Sequence, residues 1–441
     1  MDRVKTIRPP GATPPVVVAA KRHQAPLAED MSRQLRYEKK LSLLDYAFDL
    51  LDGAHSPQDF AISLHLRDAP AFEALRRGAE SATRRYPLSG CKIKNRHWIH
   101  DTNLSVERMN GKPVESYINE RFDLRTQNPV KQIVYANSEN QTCLITRFHH
   151  AAADGLSAAL WLGHQLSVAY GLIEPEPELG SVSFNELTFR ASSTATRRSS
   201  FAYHGASDPL WTTNYIPSGA RRWLTINFSA PALQRGCRKA RGFTYSDLLA
   251  TCALEVLTNW NQKHDPKPTA KIALWYPLNI RENPGSGFGN GTSRIRLYAR
   301  YPGHASLADK AREIRKQVSC NTAQGEWVVP DWPLFMRLPR PIIGPLLNGY
   351  LRQPTVDMAT AVFTHADRWA GEAAEAFQYV TKIECVGLLH TRQHLAINAA
   401  THLGQTWLTF TYDPALLNGD DALELGRMYE QQIALARKEL A

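Results

Sequence analysis

The apolar positions of this chain switch between a spacing of two and a spacing near 3.6, as expected of strands alternating with helices. Residues 61–66 set Ile62, Leu64 and Leu66 on one face, which predicts a strand, and a helical pattern then runs through Arg85. Residues 142–148, TCLITRF, are β-branched and apolar and read as a buried strand. After Gly155 the spacing of Leu156, Leu160, Leu162, Leu166 and Ala169 predicts a helix, with Gly171 as its stop. Both periods are lost over residues 174–222, where EPEPE, ASSTATRRSS and a stretch with Trp and Pro suggest a linker. The pattern then restarts. Strands are predicted at 223–228, 271–275, 294–298, 394–399 and 406–411, and helices at 248–260, 306–318 and 421–440. Thr244 and Asp247 stand where a capping box would open the first of those helices. Four prolines, Pro333, Pro339, Pro341 and Pro345, argue against a regular long helix in the apolar run 332–350. That run suits packing against the second half, a membrane interface or a greasy substrate. The expected organisation is an α/β protein of two lobes with a cleft between them. Its divisions are a basic, Pro-rich flexible arm at 1–40, an N-terminal lobe at 41–175, a linker at 176–222 and a C-terminal lobe at 223–441.

Composition narrows the class without deciding it. A chain of 441 residues, 43% hydrophobic and 21% charged, is globular and long enough for two cores. Six cysteines, Cys91, Cys143, Cys237, Cys252, Cys320 and Cys385, follow no framework or CxxC spacing and read as reduced thiols. No export signal and no run of about 18 apolar residues is found, so the expectation is a cytoplasmic protein without a transmembrane segment. A net charge of +10 points to anionic partners. Nucleic acid is not expected, because no zinc finger, RNP-like stripe or helix-turn-helix pattern accompanies the charge. An anionic small molecule or an acidic protein accounts for the sign equally well. Arg76, Arg77, Arg84 and Arg85 form either such a docking face or an ordinary solvated surface.

The chemistry concentrates in residues 149–155, HHAAADG, at the junction between the predicted buried strand and the helix after it. His-His and Asp-Gly pairs at this fixed spacing arise by chance on the order of once in a thousand chains of this size. A strand end ahead of a helix is a rigid mount for a base. Adjacent side chains on an extended segment diverge, and no further ligands stand at a zinc-like spacing, so no metal is expected. A pair of satisfied core histidines is the remaining structural alternative to acid–base work. The N–H of Gly155 opens the predicted helix, where a positive dipole end would suit an oxyanion, and its lack of a side chain suits close approach of substrate or an unusual dihedral. Asp154 has an ordinary alternative as a helix N-terminal charge. The glycine-rich stretch Phe288-Gly289-Asn290-Gly291 lacks both GxGxxG spacing and a Walker lysine, so it reads as a structural turn.

These residues resemble the HHxxxDG acyltransferases: chloramphenicol acetyltransferase, nonribosomal peptide condensation domains, polyketide-associated acyltransferases, wax ester synthases and the plant BAHD enzymes. Supporting segments in the family's order are LSLLDYAF at 41–48, RRYP at 84–87, TYSDLLATCALEVLTNW, YPLNIRENPGSGFGNGT and LTFTYDPALL. The resemblance implies two chloramphenicol-acetyltransferase-like α/β lobes with the active-site channel between them. It implies that His150 is the general base, taking a proton from an alcohol or amine as that group attacks a thioester carbonyl, with no acyl-enzyme. It makes Asp154 a structural residue paired with Arg281, leaves His149 a structural role of packing or hydrogen bonding within the loop, and places Thr364, His365 and Asn279 near the substrate channel. No permanently bound cofactor is implied. The donor would be acyl-CoA or an acyl group on the phosphopantetheine of an acyl or peptidyl carrier protein. A free-standing, carrier-dependent condensation enzyme and a degenerate carrier-docking module remain alternatives, and acyl chain, acceptor and ester or amide product stay open. Peripheral membrane contact also stays open.

Overall fold

The computed structural model describes residues 38–441 apart from 54–55, 102–103, 110–112, 178–206, 213, 215, 265–270, 283–286, 301–303, 328–337, 353–358, 368–374 and 391–392. The arm at 1–37 and most of the expected linker therefore lie outside the described residues.

The first lobe is built on β2 (Asp59–Leu66) and β7 (Thr142–His149), antiparallel partners that pair Phe60 with Phe148 and Leu64 with Leu144. Every residue of β2 is buried, so this strand is covered on both faces. α2 (Phe72–Arg85) and α4 (Gly155–Ala169) lie over the sheet, and Leu75, Ala79, Trp161, Leu162 and Leu166 fill the layer between. The two helices meet closely because Gly78 has no side chain: a Cβ there would stand 2.3 Å from the Gln165 carbonyl oxygen. β6 (Val130–Ala136) and β5 (Ser105–Arg108) extend the sheet on one side. A separate small sheet joins β1 (Glu38–Lys40), β4 (His97–His100) and β3 (Cys91–Lys94). The arm predicted to reach residue 40 thus ends in a strand. α1 (Leu43–Leu51) opens with a capping box in which Ser42 and Asp45 satisfy each other's backbone N–H groups, and a short α3 (Val114–Ile118) packs on the sheet through Ile118, which clusters with Ala61, Ile133 and Ile145.

The second lobe has a sheet in the order β10–β9–β11–β13–β14–β8, comprising Thr292–Tyr298, Ala273–Asn279, Ala361–Ala366, Leu395–His402, Gln405–Tyr412 and Arg222–Ser229. α5 (Pro231–Ala240), α6 (Tyr245–His264), α7 (Leu307–Ala323) and α9 (Gly419–Leu440) cover one face, with Leu249, Trp260, Ile314, Tyr429, Phe363 and Ile397 in its core. Thr244 and Asp247 form the cap expected of α6: the Thr244 N–H donates to Asp247 Oδ2 at 2.7 Å, and the Asp247 N–H donates to Thr244 Oγ1 at 3.2 Å.

Three features depart from the sequence reading. β12 (Val380–Val386), from the C-terminal half, pairs with β2 and becomes the edge of the first lobe's sheet. Residues 209–211, placed in the linker, pack against α6, where Trp260 Nε1–H donates to the Trp211 carbonyl and Asn261 Nδ2–H to that of Pro209. α8 (Arg340–Arg352) is helical through Pro345, which lacks one helix donor, and Ile343 is buried in the first lobe's core while Ile342 and Leu346 face outward. All described residues belong to one compact unit, and no described helix is long and apolar enough to cross a membrane.

Candidate active site

His150 follows the last residue of β7, and its backbone N–H donates to the Gln58 carbonyl at 2.8 Å, just ahead of β2. The ring is half-buried between two phenylalanines. Phe48 of α1 stacks on it with centroids 4.9 Å apart, and Phe60 of β2 leans against it at 4.8 Å. Nδ1 is sealed from solvent without a hydrogen-bond partner, which leaves Nε2 as the nitrogen open to a substrate. Burial lowers the pKa to about 4, more than the Asp154 and Asp59 charges restore, so the imidazole is neutral at physiological pH and can accept a proton.

The turn carrying this ring is braced from the other lobe. Asp154 caps α4, accepting from the Ser157 N–H at 2.9 Å. It also takes a fork from Arg281, Nη1–H to Oδ2 at 2.7 Å and Nη2–H to Oδ1 at 2.8 Å, with Asp154 and Arg281 both buried. The Thr292 hydroxyl and the Gly291 N–H complete its coordination at 2.8 and 2.9 Å. Burial alone would raise the Asp154 carboxyl, and the Arg281 charge outweighs it and holds the pKa below the usual carboxylate value. Gly291 is required here, since a Cβ would come within 2.7 Å of the Arg281 side chain. Asn290 Nδ2–H donates to the His150 carbonyl at 2.8 Å. The glycine-rich stretch is thus a turn fitted around the Asp154–Arg281 pair.

The other sequence candidates fall in different places. His149 is buried, accepts the Ala151 N–H at Nδ1 (3.1 Å) and presents its edge to Phe122, a packing position. Gly155 begins α4 and is exposed, and a Cβ on it would meet nothing within 4 Å. Neither packing nor a left-handed dihedral therefore demands glycine there. Asn279, expected beside the channel, is used inside the brace: its Oδ1 accepts from the Arg281 N–H at 3.0 Å. Thr364 and His365 neighbour each other on β11 and point to opposite faces. Thr364 donates to Asn398 Oδ1 at 2.8 Å on the face whose neighbours Val362 and Ala366 pack toward Trp275 and the first lobe's core. His365 instead faces the covering helices, bonded to Ser246 of α6 at 2.6 Å and to Thr401 at 2.9 Å. The channel position expected for His365 is corrected accordingly. Among the four arginines of α2 and its end, Arg76 pairs with Glu73 and Glu80, and Arg85 with Glu176.

Two groups near His150 escaped the sequence reading. Phe48 lies in LSLLDYAF, where its part in walling the imidazole is legible only after folding. His390 lies in the segment after β12, close enough to His150 that a proton on one would disfavour a proton on the other. That segment is tied to the strand carrying His150's support: Ser56 Oγ–H donates to the Leu389 carbonyl at 3.3 Å, and Gln58 Nε2–H donates to the Ser56 carbonyl at 2.9 Å.

No family model and no curated protein matches the chain. Solved structures do. The first condensation domain of the calcium-dependent antibiotic synthetase, in complex with a substrate analogue, aligns at TM-score 0.68 and 13% identity over 92% of this chain and 98% of that one. The trichothecene 15-O-acetyltransferase of Fusarium sporotrichioides aligns at TM-score 0.64 and 10% identity over 91% and 95%. A mutant starter condensation domain of rhizomide synthetase, in complex with C8-CoA and Leu-SNAC, aligns at 0.61 and 11% over 94% and 97%. At such identities the likeness is one of fold, and the chain has the two-lobe α/β fold of these domains.

Proposed function

We propose that the protein is an acyltransferase that moves an acyl group from a CoA or carrier-bound phosphopantetheine thioester to an alcohol or amine, with His150 as general base. The observation that carries this reading is the half-buried imidazole with one sealed and one open nitrogen, held at the lobe junction by a fully buried ion pair from the opposite lobe. Nε2 takes the proton of the acceptor as its oxygen or nitrogen attacks the thioester carbon. The tetrahedral oxyanion collapses, the C–S bond breaks, and the imidazolium returns the proton to the leaving thiolate. A base so placed is worth about 10² to 10⁴ in rate. The start of α4, with the Gly155 N–H and open space around its Cα, is the candidate for stabilising the oxyanion. Asp154 and Arg281 act by holding the turn.

A carrier-dependent condensation reaction is the second reading, favoured by the fold shared with the condensation domain solved with a substrate analogue. A docking module without catalysis has no use for a neutral imidazole held at the lobe junction. Intact-mass screening of acyl-CoA and carrier-loaded donors against pooled alcohols and amines separates the three. Product with acyl-CoA supports the first, product only with loaded carrier the second, and no His150-dependent product from any donor overturns both.

A further inference from the structure

A second imidazole, that of His390, stands near His150 from the side of the second sheet, and the acyl-transfer steps leave it without a task. The segment that carries it is fixed from both lobes. Ser56 of the first lobe donates through Oγ–H to the Leu389 carbonyl at 3.3 Å, and the Gly387 N–H donates to Thr411 Oγ1 of β14 at 2.9 Å. Gly387 lies so close to β13 that a Cβ on it would stand 2.7 Å from Asn398 Nδ2. Beyond His390, the Gln393 N–H closes a turn onto the His390 carbonyl at 2.9 Å, and Gln393 Nε2–H donates to the Ala359 carbonyl at 3.2 Å. The ring itself meets Trp275, a buried residue of β9, edge-on with centroids 5.4 Å apart. It is half-buried, bonds to no side chain among the described residues, and neither of its nitrogens is sealed from solvent. Both nitrogens are therefore open to a ligand. Burial, then the Arg294 charge, then that of His150, lower its pKa to about 3, below the value of about 4 at His150. His390 is thus neutral wherever His150 is in its base form, and it carries one N–H and one lone pair. As an acceptor attacks a thioester, positive charge grows on the base and negative charge on the carbonyl oxygen. A protonated His390 would oppose the first change, whereas a neutral N–H donor favours the second without that cost. A donor already fixed by its backbone needs little reorganisation to do so.

Resting on the acyl-transfer reading, we infer that His390 is a second catalytic residue, whose neutral imidazole donates a hydrogen bond to the carbonyl oxygen of the acyl thioester and holds the oxyanion formed there. His150 takes the acceptor's proton, the new bond forms at the acyl carbon, the C–S bond breaks, and His150 passes its proton to the thiolate. His390 keeps its own proton throughout. It acts in addition to the Gly155 N–H, and from the other lobe's sheet.

Two measurements on the full chain test this, both with the donor and acceptor that give most product in the mass screen of acyl-CoA and carrier-loaded donors. The first is steady-state kinetics. His390→Phe keeps a ring against Trp275 and removes both nitrogens, and it should lower kcat by about 10² to 10³, the usual loss for one oxyanion donor, with little change in KM. His390→Ala, which asks for no repacking of a larger ring, should match it. His390→Gln keeps an N–H and should recover about tenfold of the loss. In all three the acid limb of kcat/KM should stay at about 4, because His150 remains the base. The second measurement is infrared spectroscopy of the same donor, labelled with ¹³C at its carbonyl and bound without acceptor. The carbonyl band should lie at lower frequency in the native protein than in His390→Phe or His390→Ala, the mark of a hydrogen bond to that oxygen. An unchanged kcat in these two variants, a loss confined to KM, disappearance of the acid limb, or a carbonyl band that stays in place overturns the inference. Product that is indifferent to His390 sinks this inference alone, whereas the absence of any His150-dependent product from every donor overturns the acyl-transfer reading on which it rests.

Discussion

At the scale of single residues, the base is set by its walls. Phe48 and Phe60 pack against the His150 ring and strip much of its hydration, and the resulting low pKa keeps the base form present in mildly acidic solution. Because the deprotonated ring is the active species, kcat/KM should fall as pH drops through about 4 instead of through the ordinary histidine value of 6.5. In Phe48→Ala, where water reaches the ring, the acid limb should move up toward 6.5, the ordinary value, and a pH–rate profile of both proteins checks it. His150→Ala should lose about 10² to 10⁴ in turnover with an unchanged thermal midpoint. The motif itself was legible in sequence because its members are neighbours. Phe48 was visible as part of a segment and not as a wall, and nothing in the local pattern marked His390, whose meaning depends on residues far along the chain.

At the scale of elements, strands and helices with a clear period appeared where expected, with starts fixed by caps such as Ser306 for α7 and Asn418 for α9. The brace around His150 is an element-level device, in which the start of α4 is locked by the turn between β9 and β10. Truncating Asp154→Ala leaves Arg281 charged and buried, which should cost about 3 to 5 kcal/mol in chemical denaturation, whereas His150→Ala should cost far less. Gly291→Ala, driving a methyl into Arg281, should destabilise in the same assay and lower activity without touching the base. Pro345 inside α8 shows where a local rule yielded: the helix persists because Ile343 is anchored in the first lobe's core and Tyr46 donates to the Leu338 carbonyl at 2.9 Å just before it.

At the scale of the whole molecule, the halves are fastened by charge as well as by strand exchange. Arg221, ahead of β8, reaches Asp59 of β2 at 3.0 Å and Arg147 of β7 reaches it at 2.9 Å, all three buried. Burial would raise the Asp59 pKa, but the Arg221 and Arg147 charges bring it from 3.8 to about 2, so this carboxylate stabilises the fold above its unfolded value and the contribution is lost as pH falls through about 2. His150, His365 and His390 are held neutral well below 6.5, so their contribution is full above that value and drains away as pH falls through about 4 and then about 3. Denaturant titrations should therefore show stability declining from pH 6.5 downward, with a shallower slope in His365→Gln. The sequence alone determined the strands and helices with a clear period, the Thr244–Asp247 cap and the HHAAADG turn, because each depends on residues within a few positions of one another. The tertiary structure alone decided that Thr364 and His365 part to opposite faces, that β12 joins the first lobe's sheet, and that Arg294, Trp275 and His390 meet beside His150. Those outcomes depend on strand register and on pairings between distant segments, whose free energies are realised only when the complete sheets form.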